Sequence, residues 1–285
     1  MNHDFMNSIN AQHIDLYRIE PNCIAKLMNS CDANVWRIGG CDSGGSKMAS
    51  SAWYNVIALA TSKGGVGKST LARGFAAHWF ALGRKPALID ADPTATLSKR
   101  YNPQGKLGAV PVIAEPEEIV AELIDQLRVL HTPVIVDTAG FRNRTTISAL
   151  VAADLAIIPL KPAAEDLDCA IATYDLIREL NETPERQGHP IHTAMILTMT
   201  MRGTVIARHV RSQLKAAGYP LLQAEMPHRV AYPEAGIEGL SPAVTDPDGA
   251  AARDIAAIVH ELMKSGTEEF TQSSDREGIQ KLASV

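Results

Sequence analysis

Eight consecutive residues carry the densest chemistry in the chain: Lys63-Gly64-Gly65-Val66-Gly67-Lys68-Ser69-Thr70. Glycines let a backbone turn so that successive N–H groups point inward at phosphate oxygens. A helix starting at the end of such a loop adds the positive end of its dipole. Lys68 supplies a point charge for terminal phosphates and the Ser69 hydroxyl a ligand for magnesium. Thr70 can donate to an alpha-phosphate. The segment fits the phosphate-loop spacing G-x-x-x-x-G-K-[ST] only loosely, because the first glycine is absent and a lysine, Lys63, stands ahead of two glycines instead.

Two acidic sites follow in chain order. Leu88-Ile89-Asp90-Ala91-Asp92-Pro93 ends an apolar run in two carboxylates, and Val134-Ile135-Val136 runs into Asp137-Thr138-Ala139-Gly140. Carboxylates at the C-terminal ends of strands in an open sheet face the ligand crevice. An apolar strand ending in Asp is the Walker B pattern, so Asp137 is expected to hold magnesium, through water. The bland alternative for Asp90 and Asp92 is a solvated turn before a proline.

These residues need elements to position them. Val56–Ala60 reads as a buried strand entering the glycine-rich loop. Leu71–Leu82 reads as a helix, with Leu71, Phe75, Trp79 and Leu82 at helical spacing and Gly83 as its stop. Further strands are expected at Ala87–Ile89, Val110–Ile113, Val134–Val136, Leu155–Pro159 and Ala194–Leu197. Helices are expected at Pro116–Leu130, Glu165–Leu180, Val205–Ala217 and Gly249–Lys264, and Ile147–Ala153 is expected to close another. Strands alternate with helices and are apolar throughout. That is the pattern of a mainly parallel sheet of about seven or eight strands, covered on both faces.

Lys63–Thr70 resembles the deviant Walker A signature of the ParA/MinD family of ATPases, a class of dimer-activated P-loop proteins. The resemblance implies a three-layer α/β P-loop NTPase fold with a mostly parallel, twisted sheet flanked by helices. It implies that Lys63 reaches across a homodimer interface to the partner's nucleotide, so that ATP joins two subunits. Asp90-Ala91-Asp92-Pro93 resembles the family's D-x-D-P motif, by which Asp92 orients the attacking water and Asp90 supports magnesium. Gly140 would sense the gamma-phosphate. Lys63, Lys68 and Asp92 thus form the implied catalytic set, and Ser69, Asp90 and Asp137 the magnesium set. Where relatives often carry D-x-P-P, this chain has Asp-Thr-Ala-Gly, which also resembles related GTPases. Met226-Pro227-His228-Arg229-Val230-Ala231 looks like the family's I-P-R-N-V-R stretch, so Pro227 is the implied adenine contact. No N-K-x-D guanine motif is present, which favours ATP over GTP.

By the resemblance the chain covers the family domain over about 53–265. Residues 1–52 read as an appendage with a Gly/Ser-rich linker at Gly39–Ser46, and 266–285 as a polar tail. Across the whole chain of 285 residues, 46% hydrophobic and 21% charged, the composition is that of an ordinary globular protein. A net charge of −5 argues against a constitutive nucleic-acid coat, so DNA binding must be local or switched. Relatives bind non-specific DNA as ATP dimers. The candidates here are Arg202, Arg208, Arg211, Lys215 and Arg229, against the alternative of a solvated helix face. Cys23, Cys31 and Cys41 form no C-x-x-C pair, and His189, His192 and His209 show no metal spacing. The N-terminus has no apolar secretory core, and no apolar run reaches the roughly 18–20 residues that span a bilayer.

The function expected is therefore a cytoplasmic, ParA-like ATPase, nucleoid-associated when ATP-bound. It would bind ATP and Mg2+, dimerise as a sandwich on non-specific DNA, and be cycled by a ParB-like or other adaptor that stimulates hydrolysis, moving a cargo such as plasmid DNA. The alternatives are a MinD-like membrane switch, which needs a basic amphipathic C-terminal helix, and a metabolic or assembly ATPase on the same scaffold.

Overall fold

The computed structural model describes residues 54–264, apart from 118, 141, 142, 187 and 202. The appendage at 1–52, the tail at 266–285 and Arg202 lie outside the described residues. Seven strands form one sheet: β1 (Val56–Leu59), β2 (Ala87–Ala91), β3 (Val112–Ala114), β4 (Val134–Thr138), β5 (Leu155–Leu160), β6 (His192–Thr200) and β7 (Met226–Pro227). Their order is β3-β2-β4-β1-β5-β6-β7, and every named pairing is parallel.

Alternation along each strand splits the sheet into two cores, because successive side chains point to opposite faces. Ile57, Leu59, Leu88, Ile135, Leu155, Ile157 and Ile196 join α1 (Lys68–Ala81) and a helix at 250–264 on one face. Val56, Ala58, Ile89, Val134, Val136, Ile158 and Leu197 pack on the other. That second face is covered by α2 (Val120–Leu127), α3 (Arg144–Ala152), α4 (Ala164–Asn181) and α5 (Val205–Ala216). Two short helices, α6 (Ala231–Ile237) and α7 (Pro242–Thr245), lie between β7 and the helix at 250–264, which is named α8 below. The expected three-layer architecture is therefore present. Phe75 and Leu71 of α1 are fully buried, each side chain contributing about 1.5–3 kcal/mol by leaving water. Among the described residues no helix is long and apolar enough to cross a membrane.

Element boundaries differ from the sequence expectation where local apolar content is an ambiguous guide. The long helix expected at Pro116–Leu130 is limited to Val120–Leu127. The strand expected at Val110–Ile113 begins two residues later, at Val112. β6 is much longer than Ala194–Leu197, because its flanking threonines pair as strand despite their polarity.

Candidate functional site

β1 ends at Leu59, and residues 60–67 turn over the C-terminal edge of the sheet into α1, which starts at Lys68. The turn requires glycine. Gly65 has φ +69° and Gly67 φ +93°, conformations an L side chain rarely adopts. A Cβ on Gly67 would also stand only 2.9 Å from the Met226 methyl. Lys68 is buried, and its Nζ donates to the Lys63 carbonyl at 3.3 Å, folding the side chain back over the loop. Burial pushes its pKa below the usual lysine value, while Asp137 and Asp92 oppose that shift.

The two acidic motifs come together by register. Asp90 pairs with Asp137 across β2 and β4, and Asp137 in turn pairs with Leu59 at the end of β1. Paired residues in a parallel sheet share a face. The pattern of neighbouring side chains puts both carboxylates on the α1 face, beneath the loop. Asp90 is fully buried. Its Oδ2 accepts the backbone N–H groups of Leu97 at 3.0 Å and Ser98 at 2.8 Å, while its Oδ1 has no hydrogen-bond partner among the described residues. Asp137 is 1% exposed, and among the described residues neither of its oxygens accepts a hydrogen bond of normal geometry. Burial pushes its pKa up to about 7; the Ser69 hydroxyl pulls it down, Asp90 raises it further, and Lys68 lowers it.

Orphaned buried carboxylate oxygens are costly unless something binds them. Hard oxygen donors beside a serine hydroxyl fit magnesium, which is typically held by one or two carboxylates plus water and substrate phosphates rather than by an all-protein cage. Asp92 lies further out and is half-buried. Its Oδ1 accepts both the Thr94 N–H and the Thr94 hydroxyl, each at 2.8 Å. Gly140 reaches the loop from the β4 side: a Cβ there would lie 3.5 Å from the Gly64 nitrogen.

The other side of the loop is formed by β6 and β7. The buried Thr198 hydroxyl donates to the Val66 carbonyl at 2.8 Å. β6 then bulges between Thr198 and Thr200, with Met199 at φ +51°. Pro227 is buried in β7, next to the Met226 that touches the loop at Gly67. Thr198 and Met199 escaped sequence reasoning, since no motif spacing links residue 198 to residue 66. Arg73 escaped it as well. It is 8% exposed on α1, and no hydrogen bond or ion pair to it is found among the described residues. Burial lowers its pKa, Arg100 adds to that, and Asp137 opposes it.

The basic candidates do not form one uniform patch. Arg208 and Lys215 are exposed on α5. Arg211 is half-buried and donates to the Leu222 carbonyl and to Glu225 Oε2, both at 2.8 Å. Arg229 is held by Asp254.

Residues 57–243 match the CobQ/CobB/MinD/ParA nucleotide binding domain. The chain belongs to this family. Among curated relatives it is similar to the maintenance of carboxysome distribution protein A of Halothiobacillus neapolitanus, with 27% identity over 73% of this chain and 96% of that protein. It is 29% identical to the protein ParA of Rhizobium radiobacter, over 62% of this chain and 80% of ParA. It is 26% identical to the chromosome-partitioning ATPase Soj of Thermus thermophilus, over 73% of this chain and 94% of Soj. Its fold is shared with the septum site-determining protein MinD of Pyrococcus horikoshii, solved with Mg-ADP. The TM-score is 0.59 at 16% identity, covering 73% of this chain and 95% of MinD. The family and fold expected from the motifs are thus both found.

Proposed function

We propose that this ParA/MinD-family chain is an ATPase of the positioning or partition type, switched by ATP between monomer and homodimer. The observation that carries the reading is the buried, unsatisfied Asp137 carboxylate, set beside Ser69 and Lys68 at the start of α1 and paired in register with Asp90. Magnesium bound there would neutralise phosphate charge. Loop N–H groups from Gly64 to Lys68 would cradle the phosphates, with Thr70 donating to the alpha-phosphate. Asp92 would orient the attacking water once it leaves Thr94. The acidic residues occupy the β4 side of the loop. The ribose and base would therefore leave over the β6–β7 side, where Met226 and Pro227 offer an apolar wall.

The relatives support the rest of the reading: one is named for carboxysome distribution and another for chromosome partitioning. In this proposal the ATP dimer rides non-specific DNA in the cytoplasm, and a ParB-like or other adaptor stimulates hydrolysis and releases it. The cargo is plasmid or chromosomal DNA or a protein body.

The deciding test is Lys63→Gln. Nucleotide affinity should stay within about threefold, because the loop N–H groups and Lys68 remain. ATP-dependent dimerisation, read by sedimentation, should disappear. A Lys63→Gln chain that dimerised normally with ATP would sink the proposal that this lysine acts across an interface.

A further inference from the structure

The β6–β7 side of the loop is held by a polar assembly outside the motifs. Arg229, two residues beyond β7, forms a two-pronged contact with Asp254 of α8: Nε donates to Oδ2, and Nη2 donates to Oδ1 at 3.1 Å. Both side chains are largely withdrawn from solvent, at 24% and 15% exposure. Such a fork fixes geometry as well as charge. The Tyr232 hydroxyl lies 3.2 Å from Asp254 Oδ2 and 3.1 Å from the Ala251 carbonyl, so its proton is shared between two acceptors on α8. Burial, and then the Asp254 charge, raise the phenol's pKa, which keeps that proton in place.

α8 is also braced against the loop's own helix. A Cβ on Gly74 of α1 would lie 2.9 Å from Ile255 Cδ1, so the two helices meet at that glycine. Asp254 and Ile255 are consecutive. One turn of α8 therefore holds α1 with one side chain and the Arg229 segment with the next. At its other end the segment is tied by the His228 N–H donating to the Thr200 carbonyl at 2.9 Å, and by Met226 against Gly67. A closed circuit results: loop, α1, Ile255, Asp254, Arg229, β7, Met226, and back to the loop.

We propose that Arg229 and Asp254 are positioning residues for the base of the bound nucleotide, holding the Met226–His228 wall at a fixed distance from the phosphate loop. The inference rests on the nucleotide reading above. It assigns Arg229 to this work rather than to a DNA surface. Phosphate binding is local to Lys63–Thr70 and does not need the circuit, whereas a base contact does, because the two walls come from segments more than a hundred residues apart.

The test compares Mg-ATP with magnesium tripolyphosphate, which has the phosphates but no base, by calorimetric titration of the full chain. Asp254→Asn keeps an acceptor for Tyr232, and Arg229→Lys keeps the charge but loses the fork. Each should weaken ATP binding about tenfold and leave tripolyphosphate affinity within about twofold. The double variant should lose little more than either single one, as residues in one network are not additive. Equal losses for both ligands, or no loss for ATP, would overturn the proposal. A wild-type chain that bound neither ligand would sink the nucleotide reading itself, and this inference with it.

Discussion

The two sides of the phosphate loop are built on different physical principles. On the β4 side, three carboxylates approach the loop from strand ends, and two of them are buried with orphaned oxygens. On the β6–β7 side the contacts that meet the loop are neutral, a threonine hydroxyl on the Val66 carbonyl and a methionine methyl against Gly67, with an arginine fork behind them; the one orphaned polar atom found there among the described residues is the uncharged Thr200 hydroxyl. The first side is unstable in isolation and calls for a cation. The second leaves no carboxylate without a partner among the described residues and serves as a wall. A binding site therefore divides into a part that waits for charge and a part that holds shape, and substitutions on the two sides should fail differently.

The largest effect belongs to the charged side. Asp137→Asn should retain ATP binding through the loop but lower magnesium-dependent turnover by on the order of 10²–10³-fold, because a metal ligand's charge is lost where phosphate charge develops. Turnover within a few-fold of wild type would show that Asp137 does not hold the metal. The same substitution has a pH signature without ligand. The Asp137 pKa is raised from 3.8 to about 7, so between those values the folded chain keeps a proton that the unfolded chain has released. The Asp137 contribution to stability should be greatest below the lower value and fall as pH rises toward 7, by a few kcal/mol at most. Urea midpoints of wild type and Asp137→Asn, compared across that range, should diverge with this sign. Parallel curves would place Asp137 in a more solvated setting.

The contrast also explains what was legible in the sequence. Lys63–Thr70, Asp90 and Asp137 are local signatures: a turn that only glycine makes, and acids at the ends of apolar strands. The fold class followed from alternation of apolar runs with helical periods. The wall was not legible in the same way. Pro227 could be placed by resemblance, but Thr198, Met199 and the Met226–Gly67 contact depend on a β6–β7 pairing with a bulge and a two-residue strand too short to carry a period. Arg211 and Arg229 read as free cations in a linear sequence, because Glu225 and Asp254 are brought to them only by the fold.

An intermediate effect is expected on the wall. Thr198→Val removes the hydroxyl that satisfies the buried Val66 carbonyl and should cost about 1–3 kcal/mol. For a domain of this size that lowers Tm by roughly 2–4 °C per kcal/mol. Thr198→Ser, which keeps the donor, should lose less than half as much. Equal losses for the two variants would assign the effect to the missing volume instead of to the hydrogen bond.

The smallest effect separates the arginines of α5. If the ATP-bound chain binds duplex DNA through this helix, each phosphate contact contributes about one unit to the salt dependence of affinity. Arg208 is exposed and, among the described residues, hydrogen-bonds only to the Gly203 carbonyl, so Arg208→Ala should reduce that slope by about one. Arg211 is engaged with Glu225 and Leu222, so Arg211→Ala should leave the slope nearly unchanged. Salt-dependent retention on non-specific DNA with ATP, with ADP and without nucleotide reads both effects. A larger slope change for Arg211 than for Arg208 would mean that the Arg211–Glu225 pair opens on DNA, and that α5 is part of the switch. Retention in no nucleotide state would reduce the α5 cations to a solvated helix face and turn the search for the ATP-bound surface toward protein partners.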